Sequence, residues 1–222
     1  MRPIPTTIGL VFGLLISAVT YGQTVEREVG PLPRFFPHRA TYLELEAERR
    51  SHFELAYTVS SQAGIAADEI EMWYEIGDQR VSFDIDQAGR IGHMPDLPTL
   101  EAEPVVWINQ EGGGMSLSMQ FEANLPGGPD YAANDLSLAL GQANHAIRRA
   151  AGVAALFAPD FKTLTFLFDG PAPTAQAILD DGSTVPLTVQ ENRVVVRPRD
   201  RAMRRLVRIE LGAAPVRVLL DT

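Results

Sequence analysis

Apolar and polar positions alternate with a period of two over most of the chain, which predicts β-strands. In the first half, alternating or continuous apolar runs cover residues 43–48, 53–59, 70–76, 81–85, 105–108 and 115–121. The runs 43–48 and 53–59 flank a charged turn, so they predict a hairpin. A charged helix over 41–58 is the alternative, but its apolar positions would not gather on one helical face. The tight turns between the runs predict an antiparallel sheet that folds on itself.

The second half of the chain repeats this pattern. Strands are predicted over residues 163–168, 175–179, 184–189, 194–197, 206–211 and 216–220. The sequence Asp-Asp-Gly-Ser at 180–183 is typical of a hairpin turn, and it predicts that the flanking runs pair.

One helix is predicted between the two groups of strands. A Pro/Gly sequence at 126–129 ends the alternation, and Asn134 or Asp135 could cap a helix that extends to about residue 157. Its apolar residues share one face: Leu136, Leu140, Ala143, Ile147 and Ala150. Gly141 and Gly152 each weaken a helix by about 1 kcal/mol relative to alanine, so we expect this helix to bend or split.

The predicted fold is therefore mainly β (α+β), with antiparallel, sandwich-like sheets in two β-rich halves and one helical segment between them. Along the chain we expect a signal peptide at 1–22, an extended N-terminal lead-in at 23–37, and an N-terminal β-rich half at 38–125. The Pro/Gly break and helical segment follow at 126–158, and the C-terminal β-rich half at 159–222.

The N-terminus predicts export. Arg2 precedes an uncharged, apolar run at 8–19, and small residues at 20 and 22 precede a cleavage site before Gln23. A membrane anchor is the alternative, but it needs about 20 apolar residues. We expect a soluble mature protein in the periplasm or secreted, with no integral membrane segment after cleavage and an unknown envelope component as its partner.

Composition excludes several kinds of chemistry. The sequence has no cysteine, so disulfides, thiolate metal ligands and cysteine nucleophiles are excluded. The hydrophobic fraction of 45% and the charged fraction of 21% are typical of an ordinary globular protein.

No metal or cofactor site is predicted. Asp84 and Asp86 resemble the start of a calcium loop, but the later ligand positions hold Ala88 and Pro95, so a turn role is favoured. The histidines are too widely spaced for a local zinc-binding pair; they are His38, His52, His93 and His145.

Catalytic residues remain unknown at this stage. Ser116 and Ser118 follow glycines, but the surrounding sequence lacks the nucleophile-elbow pattern. Residues 112–114 do not form a dinucleotide-binding fingerprint, and no phosphate loop is present. Acidic pairs such as Glu101 and Glu103 could support glycoside hydrolysis, although such pairs are common on surfaces.

Charge divides unevenly along the chain. Residues 23–135 carry 20 acids and seven bases, a balance of −13, whereas residues 136–222 carry eight acids and 11 bases, a balance of +3. A basic stretch contains seven arginines: Arg193, Arg197, Arg199, Arg201, Arg204, Arg205 and Arg208. No aromatic residue lies among them to stack on bases, and the net charge is −9, so we expect no nucleic-acid partner.

We expect these arginines to face the acidic first half, where Glu44, Glu46 and Glu48 would share one face of a strand. The alternative target is an anionic surface such as lipopolysaccharide or an acidic lipid leaflet. Because no nucleophile, metal set or cofactor loop is recognisable, the sequence favours a non-catalytic binding or interaction protein of the bacterial envelope with an unknown ligand. A hydrolase that acts on an envelope polymer or glycan through dispersed carboxylates is the alternative.

Overall fold

The structure is a computed structural model that describes residues 26–62, 64–110, 114–158 and 160–222. The predicted signal peptide, residues 1–22, lies outside the described residues. Over the described ranges the chain is mainly β, with three antiparallel sheets and one long helix, so the predicted fold class is confirmed.

The strands of the first half are β1 (Arg27–Pro31), β2 (Phe53–Ser61), β3 (Met72–Ile76), β4 (Gln79–Ser82), β5 (Val105–Ile108), β6 (Met115–Ala123) and β7 (Asp130–Ala132). Those of the second half are β8 (Thr163–Leu167), β9 (Ala175–Leu179), β10 (Thr184–Pro186), β11 (Thr188–Gln190), β12 (Arg193–Val196), β13 (Leu206–Leu211) and β14 (Arg217–Asp221). The helices are α1 (Arg39–Leu43), α2 (Leu97–Glu101) and α3 (Ala133–Ala151).

The strands form three sheets. Sheet 1 has the order β1-β5-β3-β4, and sheet 3 has the order β10-β9-β13-β7. The six-stranded sheet 2 has the order β11-β12-β8-β14-β6-β2. Its β2 and β6 come from the first half of the sequence and its other four strands from the second, so backbone hydrogen bonds join the two halves within one sheet. The consecutive strands β5 and β6 lie in different sheets.

The long pair β2 and β6 determines where the site lies. The two strands pair from Phe53↔Ala123 to Ser61↔Met115. Because successive side chains of a strand point to opposite faces, this pair has one apolar face and one polar face. The apolar side chains of β2 are all buried: Phe53, Leu55, Tyr57 and Val59. The polar face carries hydroxyl–hydroxyl hydrogen bonds between Thr58 and Ser118 and between Ser60 and Ser116, each 2.8 Å long.

The predicted hairpin between 43–48 and 53–59 is wrong. Residues 39–43 form α1, a 3₁₀ turn follows at Ala47–Arg49, and β2 pairs with β6 instead. The buried residues of this segment are Tyr42 and Leu45, three positions apart, which is helical spacing. The alternation of leucine and glutamate therefore matched a strand pattern without forming a strand.

The lead-in is tied to the fold from residue 27 onward. β1 pairs antiparallel with β5, and the next turn buries Leu32 and Phe36 in the core. Order was expected in this segment only if other residues held it in place, and the pairing with β5 supplies that contact.

Helix α3 ends at Ala151 and is followed by a 3₁₀ turn at Gly152–Phe157, so the predicted helical segment does split, at Gly152, whereas Gly141 lies within the continuous helix. The N-cap residue is Ala132, not the predicted Asn134 or Asp135, because the helix begins directly after β7. The helix packs on β2, β6, β7 and β13 through its buried residues, which include Leu136, Leu140 and Ala143.

The predicted strand 184–189 divides in two at Leu187. This residue is buried, and its backbone N–H donates to the carbonyl of Ala175 at 3.0 Å. The chain therefore leaves sheet 3 after β10 and enters sheet 2 at β11. Within the described part of the chain, no helix combines the length and apolar character that a membrane crossing requires.

Candidate functional site

A cavity of about 410 Å³ lies between α1, α3 and the apolar face of β2 and β6. The sheet contributes Phe53, Leu55, Met119 and Phe121. The segment around α1 contributes His38, Thr41, Tyr42 and Leu45. The volume is within the range of about 300–1,000 Å³ that is typical of small-molecule sites.

The remaining wall of the cavity is the C-terminal part of α3 and the turn that follows it. Among the residues whose side chains the structure describes, those of this wall are small, apart from one isoleucine: Ala146, Ile147, Ala150, Ala151, Ala154 and Ala158. The N-terminal part of the same helix presents Leu136 and Leu140, which fill the space against the sheet. The change from leucine to alanine along one face leaves space between helix and sheet.

The sheet face below this space is incompletely covered. Met119 and Phe121 of β6 point to the apolar face but are only half-buried, whereas Leu55 and Tyr57 opposite them are buried. Protein interiors are normally close-packed, so apolar groups that line open space lose contacts that a ligand could restore.

Few polar groups line the cavity. The hydroxyl of Tyr42 donates to the carbonyl of Phe53 at 3.1 Å, which leaves the side chains of His38 and Thr41 as the other polar groups among the lining residues. His38 precedes α1 and has a φ of 63°. This left-handed conformation is uncommon for a residue with a side chain.

A second, polar cleft of about 980 Å³ lies at the opposite face of sheet 2. Glu54 and Glu122 are directly opposite each other on β2 and β6. Arg90 donates to Glu54 at 2.7 Å and also to Glu122. Arg217 lies 3.5 Å from the other carboxylate oxygen of Glu122. Two arginines thus hold the central carboxylate, whose side chain is only 5% exposed.

The opposite charges of Arg90 and the two glutamates stabilise one another. Burial opposes the charged form of Arg90, but the hydrogen bond and the attraction to Glu122, with the smaller contributions of Glu54, raise the pKa of the guanidinium above its usual value. Arg90 therefore remains a cation that bridges both carboxylates, and the two carboxylates accept its hydrogen bonds.

The aspartates of the rejected calcium loop occupy a turn. The Asp86 carboxylate accepts hydrogen bonds from the backbone N–H groups of Ala88 at 2.9 Å and Arg90 at 2.8 Å. This bonding positions Arg90 at the polar cleft. Asp84 is exposed and lies 4.0 Å from His93.

The other sequence candidates lie apart from one another. His38 lines the cavity, His52 lies 3.8 Å from Asp135, and His145 is exposed on α3. Among the described residues no group of three or more potential metal ligands comes together. Ser116 and Ser118 bond to hydroxyls across the strand pair, and Glu101 and Glu103 are exposed.

Three arginines of the basic stretch pair with acids of the C-terminal half. Arg199 lies 3.7 Å from Asp160, and Arg205 lies 2.6 Å from Asp180. Arg208 is paired in the same way, with Glu210, while Glu46 pairs with its neighbour Arg49. The prediction that these arginines face Glu44, Glu46 and Glu48 is wrong, because residues 44–48 are not a strand.

The apolar cavity was not predicted from the sequence, because the residues of its wall come from separate segments of the chain. A usable signal was the run of alanines near the end of the predicted helix, where a fully packed face would carry larger side chains. Comparisons with known proteins give no significant match: no family model matches the chain, and neither a curated protein nor a solved structure resembles it.

Proposed function

We propose that the protein is an exported, non-catalytic binding protein of the bacterial envelope that holds an apolar small molecule in the cavity below α3. The observation that carries the proposal is the cavity of about 410 Å³ between the alanine face of α3 and the half-buried side chains of β6. Nearly all of its lining is hydrocarbon or aromatic, which is the composition of sites for apolar ligands.

The energetics support a ligand with a hydrocarbon chain. Each methylene removed from water contributes about 0.8 kcal/mol. Binding also has to offset the loss of translational and rotational freedom, so a chain of several methylenes is needed for measurable affinity. Met119 adds a flexible thioether, which adapts to ligands of irregular shape.

A cavity-blocking variant tests the proposal. Ala150 is exposed at the cavity, so Ala150→Trp places an indole in the ligand space without removing a core contact. Leu138→Trp is the matched control, because Leu138 lies on the same helix, is 37% exposed and does not line the cavity. Calorimetric titration of dodecanol into the mature protein should show binding to the wild type and to Leu138→Trp, and at least tenfold weaker binding to Ala150→Trp.

Two results would contradict the proposal. One is that wild-type protein binds neither dodecanol nor any other compound with an alkyl chain of similar length. The other is that Ala150→Trp binds as tightly as Leu138→Trp while both remain folded, since the ligand would then occupy another place.

A hydrolase remains the second candidate, and the polar cleft is the observation that favours it. Glu54 and Glu122 are cross-strand neighbours, which places their Cβ atoms about 4.5–5.5 Å apart. A hydrolytic pair needs one carboxyl group as a proton donor, whereas both groups accept hydrogen bonds from Arg90. Release of reducing ends from purified cell-wall glycan, lost in both Glu54→Gln and Glu122→Gln, would favour the hydrolase over the binding protein.

Export is part of the proposal and rests on the residue pattern of the first 22 positions. N-terminal sequencing of protein from the native host should find a chain that begins at or within a few residues of Gln23, recovered from the periplasm or the medium. An intact Met1 on a cytosolic product would contradict export.

A further inference from the structure

Two arginines contact Tyr42, one of the residues that line the apolar cavity. The guanidinium carbons of Arg39 and Arg50 are each 5.4 Å from the ring centroid of Tyr42, which lines the cavity. Contact of this kind between a cation and an aromatic ring is attractive, so the ring holds both side chains. The two positive charges therefore lie within one side chain, that of Tyr42, of an almost wholly apolar space.

These two guanidinium groups keep unused donors. Arg39 donates through Nε to the carbonyl of Pro95 at 3.4 Å, and Arg50 donates through Nε to the carbonyl of Leu45 at 3.1 Å. Among the residues for which the structure gives contacts, neither arginine has a carboxylate within ion-pair distance, and their terminal nitrogens have no acceptor. An arginine fork of this kind matches the geometry of a carboxylate.

Among the described residues Arg39 and Arg50 have no counterion, although both side chains are partly buried. Burial lowers the pKa of Arg39 and outweighs the opposing effects of Tyr42 and Tyr57, while the like charge of Arg50 adds a smaller lowering effect. The carboxylate of Glu54 already accepts from Arg90, 2.7 Å away. An anion between Arg39 and Arg50 would reduce their mutual repulsion and pair donors that are partly removed from water.

We propose that the ligand is a single-chain fatty acid, whose hydrocarbon chain lies in the cavity and whose carboxylate pairs with Arg39 and Arg50. This assignment rests on the proposed binding function and adds the chemistry of the head group. The imidazole of His38 and the hydroxyl of Thr41 line the same cavity and supply further donors.

A head-group series tests the assignment with the wild-type protein alone. Dodecanoate, dodecanol, dodecyl phosphate and dodecyltrimethylammonium share one chain and differ in charge or head group. Dodecanoate should bind at least about tenfold more tightly than dodecanol, because charge-assisted hydrogen bonds are roughly twice as strong as neutral ones. The cationic amphiphile should bind more weakly than either.

The arginine variants locate the head group. Arg50→Gln and Arg39→Gln should each reduce the preference for dodecanoate over dodecanol severalfold, measured as the ratio of the two affinities within each variant. Arg49→Gln is the matched control: it removes an adjacent arginine that pairs with Glu46 at 3.6 Å, and it should leave the preference intact. Arg50→Lys keeps the charge but loses the fork, and it should give an intermediate preference.

The outcomes separate the two claims. Equal affinity for dodecanoate and dodecanol, or a preference that survives in both glutamine variants, would overturn the fatty-acid assignment and leave the apolar binding function standing. Tighter binding of dodecyl phosphate than of dodecanoate would also overturn it, in favour of a phosphate-bearing lipid. Failure of all four compounds to bind would overturn the binding function itself.

Discussion

The side-chain amide of Asn144 forms two reciprocal hydrogen bonds with the backbone of Phe161. Asn144 Nδ2 donates to the Phe161 carbonyl at 3.0 Å, and the Phe161 N–H donates to Asn144 Oδ1 at 2.7 Å. Asn144 is only 3% exposed. The pair ties the segment before β8 to α3 and brings the Phe161 ring to 4.8 Å from the ring of Phe121, which lines the cavity.

Asn144→Ala should therefore lower the free energy of unfolding by about 2–4 kcal/mol, because it leaves two buried backbone groups without partners. Asn134→Ala, an exposed change on the same helix, should stay within about 0.5 kcal/mol of the wild type. Urea denaturation measures both values. Similar stability of the two variants would show that the reciprocal pair contributes little.

The turn that presents Arg90 depends on Gly89. This glycine has a φ of 79°, and an added Cβ would lie 2.1 Å from the carbonyl oxygen of Val59, a backbone atom. Gly182 has a similar φ of 78° but open space around it. Gly182→Ala should cost about 1–2 kcal/mol through backbone strain alone, and Gly89→Ala should cost at least about 2 kcal/mol more through the added clash. Equal melting temperatures for the two variants would contradict this difference.

Strands with local signals were predictable from the sequence. The predicted bounds 105–108, 175–179 and 206–211 coincide with β5, β9 and β13, because alternation and turn residues are properties of short segments. Residues 43–48 gave the same signal, but the contacts that bury Tyr42 and Leu45 favoured a short helix that ends at Leu43 and a 3₁₀ turn at Ala47–Arg49. Pairing between distant strands, such as β2 with β6, left no signal that a single sequence could reveal.

The candidate site was less predictable for a related reason. Its wall requires α1, β6 and the end of α3 to meet, and no helix was predicted at α1, where the chain was expected to belong to a β-rich half. Arg39 and Arg50 are candidate ligand-binding residues because both contact Tyr42. The sequence alone does not show this shared contact.

The hairpin turn at Asp181 predicts a measurable pH effect. The side-chain hydrogen bond from Ser183, together with its backbone N–H, lowers the pKa of Asp181, and Arg205 adds a smaller contribution. A lowered folded-state pKa stabilises the protein above the unfolded value of about 3.9, and this contribution is lost as the pH falls through the folded-state pKa. Carboxyl NMR titration should find the Asp181 pKa raised more by Ser183→Ala than by Arg205→Gln; the reverse order would contradict the assignment.

Glu122 should be more important to stability than Glu54, although both bind Arg90. Glu122 is 5% exposed and also lies beside Arg217, whereas Glu54 is 48% exposed. Glu122→Gln should lower the free energy of unfolding by about 1–3 kcal/mol, since both arginines are only partly exposed, and Glu54→Gln by less than about 1 kcal/mol. Chemical denaturation at neutral pH measures both, and equal losses would contradict the central role of Glu122.

The central claim, an apolar ligand in the cavity below α3, is tested most directly by NMR of the mature protein with ¹³C-labelled methionine methyl groups. Met119 lines the cavity, and Met203 lies away from it in the turn Arg201–Met203. In a sample saturated with dodecanoate, the account predicts nuclear Overhauser effects between the ligand chain and the Met119 methyl group, and none to Met203. A saturated complex with no such effect at Met119, or with equal effects at both methyl groups, would contradict it.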